Sequence, residues 1–443
     1  MEIKLSNHFS YGRLFRFAMP SVIMMVFSSI YGVVDGLFVS NFVGKTEFAA
    51  INLLMPVFMI VGAFGFMIGA GGTAVVSKTL GEGDDTLANR YFSLFVYVTA
   101  AAGAVMSAFG IIFLRPLSLL LGAEGAMLDA CVRYGRIVLA AMPFFMLQNL
   151  FQSFMIVAER PKLGLAVTVA AGVANMAFDA LLILVIPLGL EGAALATSIS
   201  QMVGGIVPVV YFARKNSSLL SLIKTKFYGK ALLRATMNGS SELMSNVSSS
   251  IVTMIYNFQL MRFAGENGVA ANGVIMYVAF IFIAIFLGFS VGTAPIIGYH
   301  YGARNTDELG SLLRKGATVM LVGGITMTLV SILLARPLSM IFAGYDPVLL
   351  EITVNGLKIH STCFVFAGLG IFGSSYFTAL NNGLISAVIS FTRTLVFQVG
   401  ALLLLPVFLE LNGVWLATPV SEVLSLMLTV ILFIANRKKY KYF

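Results

Sequence analysis

Charged residues are scarce in this sequence and are absent from long parts of it. Asp, Glu, Lys and Arg make up 11% of the 443 residues, whereas 59% are hydrophobic. No charged residue occurs between Glu47 and Lys78, or between Lys358 and Arg393. A soluble protein of this size could not bury so much apolar surface, so the composition predicts an integral membrane protein. Membrane β-strands alternate apolar and polar residues, so these unbroken apolar runs favour helices over a β-barrel.

Cysteine is also scarce, which leaves little scope for disulfides or metal sites. The two cysteines, Cys131 and Cys363, lie in or near apolar runs without metal-ligand spacing. We interpret them as small buried hydrophobic residues, and we expect no cofactor. The first apolar run is too long for a signal peptide and is not followed by a small-residue cleavage site. We therefore expect it to remain in the mature protein.

Twelve apolar segments are long enough to cross a membrane as helices. Their predicted ranges are 15–40, 48–77, 91–113, 134–158, 163–188, 192–213, 236–261, 268–299, 315–334, 354–380, 384–408 and 412–435. If the N-terminus is cytoplasmic, the loops and tails on that side carry 20 of the 28 Lys and Arg residues, and the opposite loops carry 7. This bias predicts a multi-pass protein of the plasma membrane with both termini in the cytoplasm. It also accounts for most of the net charge of +9, so we expect no nucleic-acid partner.

The sequence repeats itself at a constant spacing of 221 residues, which we call the repeat offset. RPLS occurs at 115–118 and again at 336–339, and GAALAT at 192–197 corresponds to GVWLAT at 413–418. Each half contains six predicted helices, so the halves insert with the same orientation and are related by a pseudo-two-fold axis along the membrane normal. We predict an all-α integral membrane protein of twelve transmembrane helices in two lobes. The expected units are an N-terminal six-helix lobe at 1–213, a basic cytoplasmic linker at 214–234 and a C-terminal six-helix lobe at 235–443.

Two carboxylates lie inside apolar helices of the first half. Asp35 is about 18 residues into the first span, roughly 27 Å, and Asp179 is about 16 residues into the fifth, roughly 24 Å. Thr197 has a similar depth in the sixth span, and Tyr31 and Asn175 each precede an acid by one helical turn. A charge inside a membrane helix costs about 2.5–3.5 kcal/mol on insertion scales, so these acids indicate a functional site.

Two carboxylates in one dry pocket cannot both ionise at low cost. Either one holds a proton near neutral pH or a cation lies between them, and Asp, Asn and Thr oxygens suit Na⁺. We therefore predict a proton or Na⁺ site at Asp35, Asp179, Asn175, Tyr31 and Thr197. The alternative is a hydrogen-bond network that only packs the helices together.

The second half lacks this chemistry at the repeat offset. Tyr256, Val396 and Gly400 stand where the first half has Asp35, Asn175 and Asp179, and only the threonine is retained, as Thr418. We therefore expect the coupling ion to bind in the first half.

The second half has buried charges of its own. Arg393 and Glu422 fall at similar depths in the eleventh and twelfth spans, which predicts a structural, neutralising pair. Glu242 lies about five residues into the seventh span, where it either meets a cationic substrate or contacts water near the membrane surface. We assign Gln152 and Tyr256, together with Glu242, to the substrate or cavity surface.

Two further features bear on movement and on cargo. Pro20 leaves one backbone carbonyl of the first helix without its partner, and we expect this to permit a bend below Asp35. The chain has 37 Phe and 23 Met residues. Most should face lipid or pack between helices, but methionine is also suited to lining adaptable pockets.

The sequence resembles the multidrug and toxic compound extrusion (MATE) family over essentially its whole length. The resemblance lies in SIYGVVDGLFVSNFVG followed by AAINLLMP, in NMAFD of the fifth span, in GAALATSISQ of the sixth, and in the six-plus-six repeat. It is greatest to the bacterial branch of small multidrug exporters. It implies that Tyr31, Asp35, Asn175, Asp179 and Thr197 form the first-lobe cation and proton site, that helix 1 bends at Pro20, and that Glu242 is the acid of the seventh helix. Other branches carry an acid in the tenth helix, which residues 362–380 lack.

Together these features predict a monomeric antiporter that exports amphipathic, often cationic drugs in exchange for H⁺ or Na⁺. One alternative is a flippase of lipid-linked sugars with a related fold, which would be expected to have a basic cavity for phosphates and often extra helices. Another is a membrane-embedded prenyltransferase-type enzyme, which needs clustered acids for Mg²⁺ and pyrophosphate. No DxxD pair occurs in the predicted spans. A receptor or a channel would not explain the duplication.

Overall fold

A computed structural model describes residues 3–344 and 346–442, and among these residues it contains helices but no strands. Met1, Glu2, Tyr345 and Phe443 belong to the predicted lobes but lie outside the described residues. Helices 1 to 4 are Tyr11–Phe42, Lys45–Gly81, Asp85–Leu120 and Gly125–Val157. Helix 5 is Pro161–Asp179, which a π-helical turn, Ala180–Val185, continues, and helix 6 is Gly189–Ala213.

The second half has the same number of membrane helices. Helices 7 and 8 form one segment, Gly229–Gly302, which non-helical backbone interrupts at Gly265. Helix 9 is Thr306–Leu333, and a short surface helix, Ala335–Ala343, follows it. Helix 10 runs through Pro347–His360, a 3₁₀ turn at Ser361–Cys363, and Phe364–Ala379. Helices 11 and 12 comprise Gly383–Phe391, a π-helical turn at Thr392–Phe397, and Gln398–Tyr440, with a break at Glu410 between the two helices.

These lengths agree with twelve membrane crossings. In the described residues, 10 helical segments are long and apolar enough to span a membrane. Two of them, with 74 and 58 residues, are each long enough to cross a hydrocarbon core of about 30 Å twice. Each of the two is interrupted near its middle, at Gly265 or Glu410. The predicted all-helical fold class is therefore confirmed, although several helices extend beyond their apolar runs into the predicted loops.

The internal repeat is visible in the backbone as well as in the sequence. Three pairs of residues with positive φ are related by the repeat offset: Gly44 and Gly265, Gly83 and Arg304, and Gly189 and Glu410. Positive φ is costly for residues other than glycine. Arg304 has φ 56° and Glu410 has φ 49°. The second lobe therefore keeps the positive-φ backbone conformation at these two positions even though neither residue is glycine.

Both ends of the chain lie at the same end of the helix bundle. The backbone N–H of Phe9 donates to Glu308 at 2.8 Å, near the start of helix 9. The backbone of Tyr442 lies against Gly310 in the same helix. We call this end of the bundle the termini side and the opposite end the far side.

The two lobes approach each other closely at the termini side. A Cβ atom at Gly71 of helix 2 would lie 1.8 Å from the carbonyl oxygen of Ala235 in helix 7, so only glycine fits there. Helix 1 meets helix 8 in the same way, because a Cβ at Gly288 would lie 2.5 Å from the Cα of Val22. These contacts hold the two lobes together on the termini side.

The linker between the lobes packs along helix 3. Residues 214–228 are not helical, and helix 7 begins at Gly229, so the last part of the predicted linker belongs to that helix. The backbone N–H of Ser221 donates to Asn89 at 2.6 Å, and that of Ile223 donates to Ser93 at 2.9 Å. The linker is therefore attached to the first lobe by its own backbone.

Candidate functional site

Asp35 and Asp179 face each other inside the first lobe. The Asp35 carboxyl on helix 1 lies within hydrogen-bonding reach of the Asp179 carboxyl and of the Asn175 amide on helix 5. Asp179 has 0% and Asn175 2% of its surface exposed, whereas Asp35 is half-buried. The structure thus brings together the two acids that the sequence predicts at a similar depth and the asparagine predicted one turn before the second of them. Asp179 is the last residue before the π-helical turn, a feature that is frequent at functional sites.

The oxygen atoms of this cluster have few hydrogen-bond donors. Within the described residues, neither oxygen of Asp179 accepts a hydrogen bond, and one oxygen of Asp35 and the amide oxygen of Asn175 also lack a donor. Buried carboxylates are normally paired or hydrogen-bonded. A proton shared between the acids, or a hard monovalent cation held by carboxylate and amide oxygens, would satisfy the cluster.

Two tyrosines connect the acid pair to helices 4 and 6. Tyr31 lies one turn before Asp35 and within hydrogen-bonding reach of Gln148 on helix 4. Tyr134, also on helix 4, lies within reach of Thr197 on helix 6 and close to both acids.

The sequence analysis missed Tyr134 and Gln148. Neither side chain carries a charge that would demand a partner inside the membrane. Depth alone could have identified Tyr134, since it lies nine residues after the start of helix 4, while Thr197 lies eight residues after the start of helix 6. Both of these helices begin on the far side.

The second lobe repeats the shape of this site with neutral groups. The hydroxyl of Tyr256 lies 2.5 Å from that of Thr418, and the Gln398 amide donates to Thr418 at 3.2 Å. The repeat offset places Val396 opposite the first-lobe asparagine, whereas the amide that bonds to Thr418 lies two residues later, at Gln398. Helix 11 begins one position later than the offset requires, and its π-helical turn, Thr392–Phe397, precedes Gln398.

Arg393 and Glu422 form a bidentate ion pair inside the second lobe. Arg393 Nε donates to both carboxylate oxygens at 2.9 Å, and Nη2 lies 2.8 Å from Oε1. The two side chains are 17% and 7% exposed. The pair lies on helices 11 and 12, where the sequence predicts it, and its geometry satisfies both charges.

The remaining predicted residues lie in different parts of the molecule. Glu242 is half-buried on helix 7, one turn beyond Gly239, which packs against helix 2. It therefore lies in the part of helix 7 that meets helix 2 on the termini side, and its carboxylate forms no ion pair with a described residue. Gln152 and Tyr256 are buried inside the first and second lobes, respectively. Pro20 is buried where helix 1 meets helix 8, and helix 1 continues through it from Tyr11 to Phe42.

Two repeated six-helix lobes within one membrane-spanning chain are the architecture of a membrane transporter. The sequence model of the MatE family matches residues 20–181 and 243–402. The chain therefore belongs to the MatE family. Its bacterial relatives identify it as a MATE transporter of the bacterial type.

Similar proteins and solved structures cover almost the whole chain. The chain is 24% identical over 423 residues to multidrug export protein MepA of Staphylococcus haemolyticus strain JCSC1435. The match covers 95% of this chain and 91% of the relative. A crystal structure of MATE in complex with MaL6 has a TM-score of 0.93 at 21% identity and covers 98% of both chains. The outward-facing conformation of a multidrug resistance MATE family transporter of the MOP superfamily has a TM-score of 0.92 at 21% identity, again over 98% of both chains. These likenesses confirm the two-lobe fold.

Proposed function

We propose that this protein exports amphipathic, often cationic drugs in exchange for H⁺ or Na⁺. The observation that carries the proposal is the pair Asp35–Asp179 inside an apolar lobe, where one oxygen of Asp35 and both oxygens of Asp179 have no donor among the described residues. One bound monovalent cation stabilises such a pair because it reduces the repulsion between the two carboxylates. Release of the cation restores both acids, so the site can bind a cation again. The name of the staphylococcal relative, multidrug export protein, supports drugs as the cargo.

The gap between the lobes suits a cationic cargo. Glu242 supplies a negative charge near the floor of the gap, and the helices around it are rich in apolar residues. An apolar cavity with one placed charge binds amphipathic cations by burial and by charge complementarity. The distribution of Lys and Arg supports a cytoplasmic termini side in the plasma membrane, and lobes held together on that side would leave between them a gap that opens outward.

Helix 1 offers a direct connection between the cation and the lobe contact. It carries Asp35 in its far-side half and, fifteen residues or about 22 Å lower, Pro20 in the contact with helix 8. Binding of one monovalent cation lowers the negative charge of the acid pair by one, and the helix that holds Asp35 also takes part in the contact between the lobes on the termini side. Cation and drug then exchange by alternating access if each binds one state of the lobes more tightly than the other.

Drug efflux from proteoliposomes under imposed ion gradients tests this function. We expect purified protein to move ethidium against its gradient when either a pH or a Na⁺ gradient is imposed separately, and the active gradient identifies the coupling ion. Liposomes without protein, and liposomes with an ionophore that removes the gradient, serve as controls. Ethidium binding without transport under either gradient would contradict the proposal.

A further inference from the structure

Buried amide and hydroxyl side chains continue from the acid pair through the first lobe toward the termini side. Gln148 lies beside Tyr31 and nine residues before the end of helix 4, about 14 Å at 1.5 Å per residue. Gln152 lies one turn nearer to that end. Thr168 is seven residues after the start of helix 5, about 10 Å, whereas Asn175 is fourteen residues after it. The three side chains thus lie between the acid pair and the termini side, at depths that differ by about 3 Å from one to the next.

These three side chains line a small cavity between helices 4, 5 and 6. Gln148, Gln152 and Thr168 form its polar wall, and Gly164 and Gly204 contribute no side chain to fill it. Its volume of about 10 Å³ accommodates a single water molecule. Most of its lining is apolar, but its three polar side chains are enough to give one water molecule the two to four hydrogen-bond partners that a buried water needs.

Gln201 adds an unsatisfied acceptor to the same region. It lies one turn before Gly204, on the same face of helix 6. It is buried, and its Oε1 has no donor among the described residues. A buried acceptor without a donor is destabilising, and ordered water is the usual partner of such a group.

The second lobe fills the corresponding position with an ion pair. Gln201 corresponds to Glu422 at the repeat offset, and Arg393 holds both oxygens of that carboxylate. The lobe without the acid pair therefore satisfies its polar group internally. The lobe with the acid pair has neutral amides at this level, which remain able to bind water.

We propose that Gln148, Gln152, Thr168 and Gln201 line a hydrated passage through which the coupling cation leaves the acid pair toward the termini side. This inference rests on the proposed exchange of drug for cation, and it separates the two routes. The drug crosses in the gap between the lobes, and the cation crosses inside the first lobe. Neutral amide and hydroxyl oxygens replace the hydration of H₃O⁺ or Na⁺ without trapping it. The passage has room for only one water molecule, so it stays narrow while the gap between the lobes is open to the far side. This constriction prevents cations from leaking through the protein without exchange for drug.

Hydroxyl-radical footprinting tests whether water occupies the cavity. Radicals formed from bound water by X-rays oxidise adjacent methionines. Met155 lines the cavity although it is only 1% exposed, and Met142 on the same helix is 0% exposed and does not line it. We expect oxidation of Met155 but not of Met142, and less oxidation of Met155 in the variant Gln152→Leu with Thr168→Val. Equal background oxidation of both methionines in the wild type would overturn the proposal.

Transport by the same double variant tests whether the cation uses the passage. We expect cation-driven ethidium efflux to fall about tenfold. Exchange of ethidium for ethidium should stay at the wild-type rate, because it requires no net cation release. Thr99→Val removes a buried, unbonded hydroxyl from helix 3 and should change neither rate.

Cation-driven efflux at the wild-type rate in the double variant would overturn the passage. An equal loss of both activities would also overturn it, because the residues would then serve the movement of the lobes. Failure of the wild type to couple ethidium to either gradient would instead contradict the proposed exchange, and the footprint of Met155 reports on hydration independently of that outcome.

Discussion

Asp35→Asn should reduce cation-driven drug efflux to the level of protein-free liposomes. Asparagine keeps the size of the side chain but leaves Asp179 as the only carboxylate of the pair, so the site no longer needs a cation to satisfy two acids. We expect the same result for Asp179→Asn. The measurement is ethidium efflux from proteoliposomes under the gradient that drives the wild-type protein.

The fold of these variants should be intact. Each substitution removes a carboxylate with at least one oxygen that has no donor among the described residues, so the melting temperature should equal or exceed that of the wild type. Asp129→Asn is the matched control, since Asp129 is exposed on helix 4, and it should leave efflux unchanged. Concentrative efflux by both single variants at the wild-type rate would show that the acid pair is only structural.

Arg393→Met should strongly destabilise the protein. It leaves the Glu422 carboxylate buried without its guanidinium, and breaking a buried ion pair in this way costs roughly 3–5 kcal/mol. Adding Glu422→Gln removes the unpaired charge, so the double variant should recover much of the loss. Thermal unfolding in detergent, with protein yield as a second readout, measures both effects.

An exposed ion pair provides the control for this prediction. Arg133 Nη1 and Glu191 Oε1 lie 2.8 Å apart on the first lobe, and the two side chains are 54% and 36% exposed. Exposed pairs contribute about 0–1 kcal/mol, so Arg133→Met should hardly change the melting temperature. A double variant of Arg393 and Glu422 that is less stable than either single variant would refute the structural pairing.

The fold could be predicted because the membrane imposes simple rules. Apolar length identifies helices, and the repeat offset identifies two lobes with the same orientation. The acid pair could be predicted because a carboxylate inside a membrane helix requires a partner, and residue counting gives its depth. Asp35, Asn175 and Asp179 meet for this reason.

The parts that escaped prediction depend on interactions that neutral residues make across helices. Tyr134 and Gln148 carry no charge, so nothing in the sequence demanded a partner for them. The π-helical turn before Gln398 shifts the register of helix 11, and a fixed offset cannot detect such a shift. Gln152 and Tyr256 were assigned to the cavity surface by residue type, whereas their burial inside the lobes depends on which helix face packs inward.

Cation release on drug binding is the most direct test of the coupling claim. Exchange requires that drug and cation weaken each other's binding, and this linkage is reciprocal. Titrating ethidium into purified protein in weakly buffered solution, with a proton indicator or a Na⁺ electrode, measures the release. We predict that the wild type releases cations on binding ethidium, and that the variant Asp35→Asn with Asp179→Asn binds ethidium without releasing any. Equal release by the double variant, or binding by the wild type without release, would contradict the assignment of coupling to this acid pair.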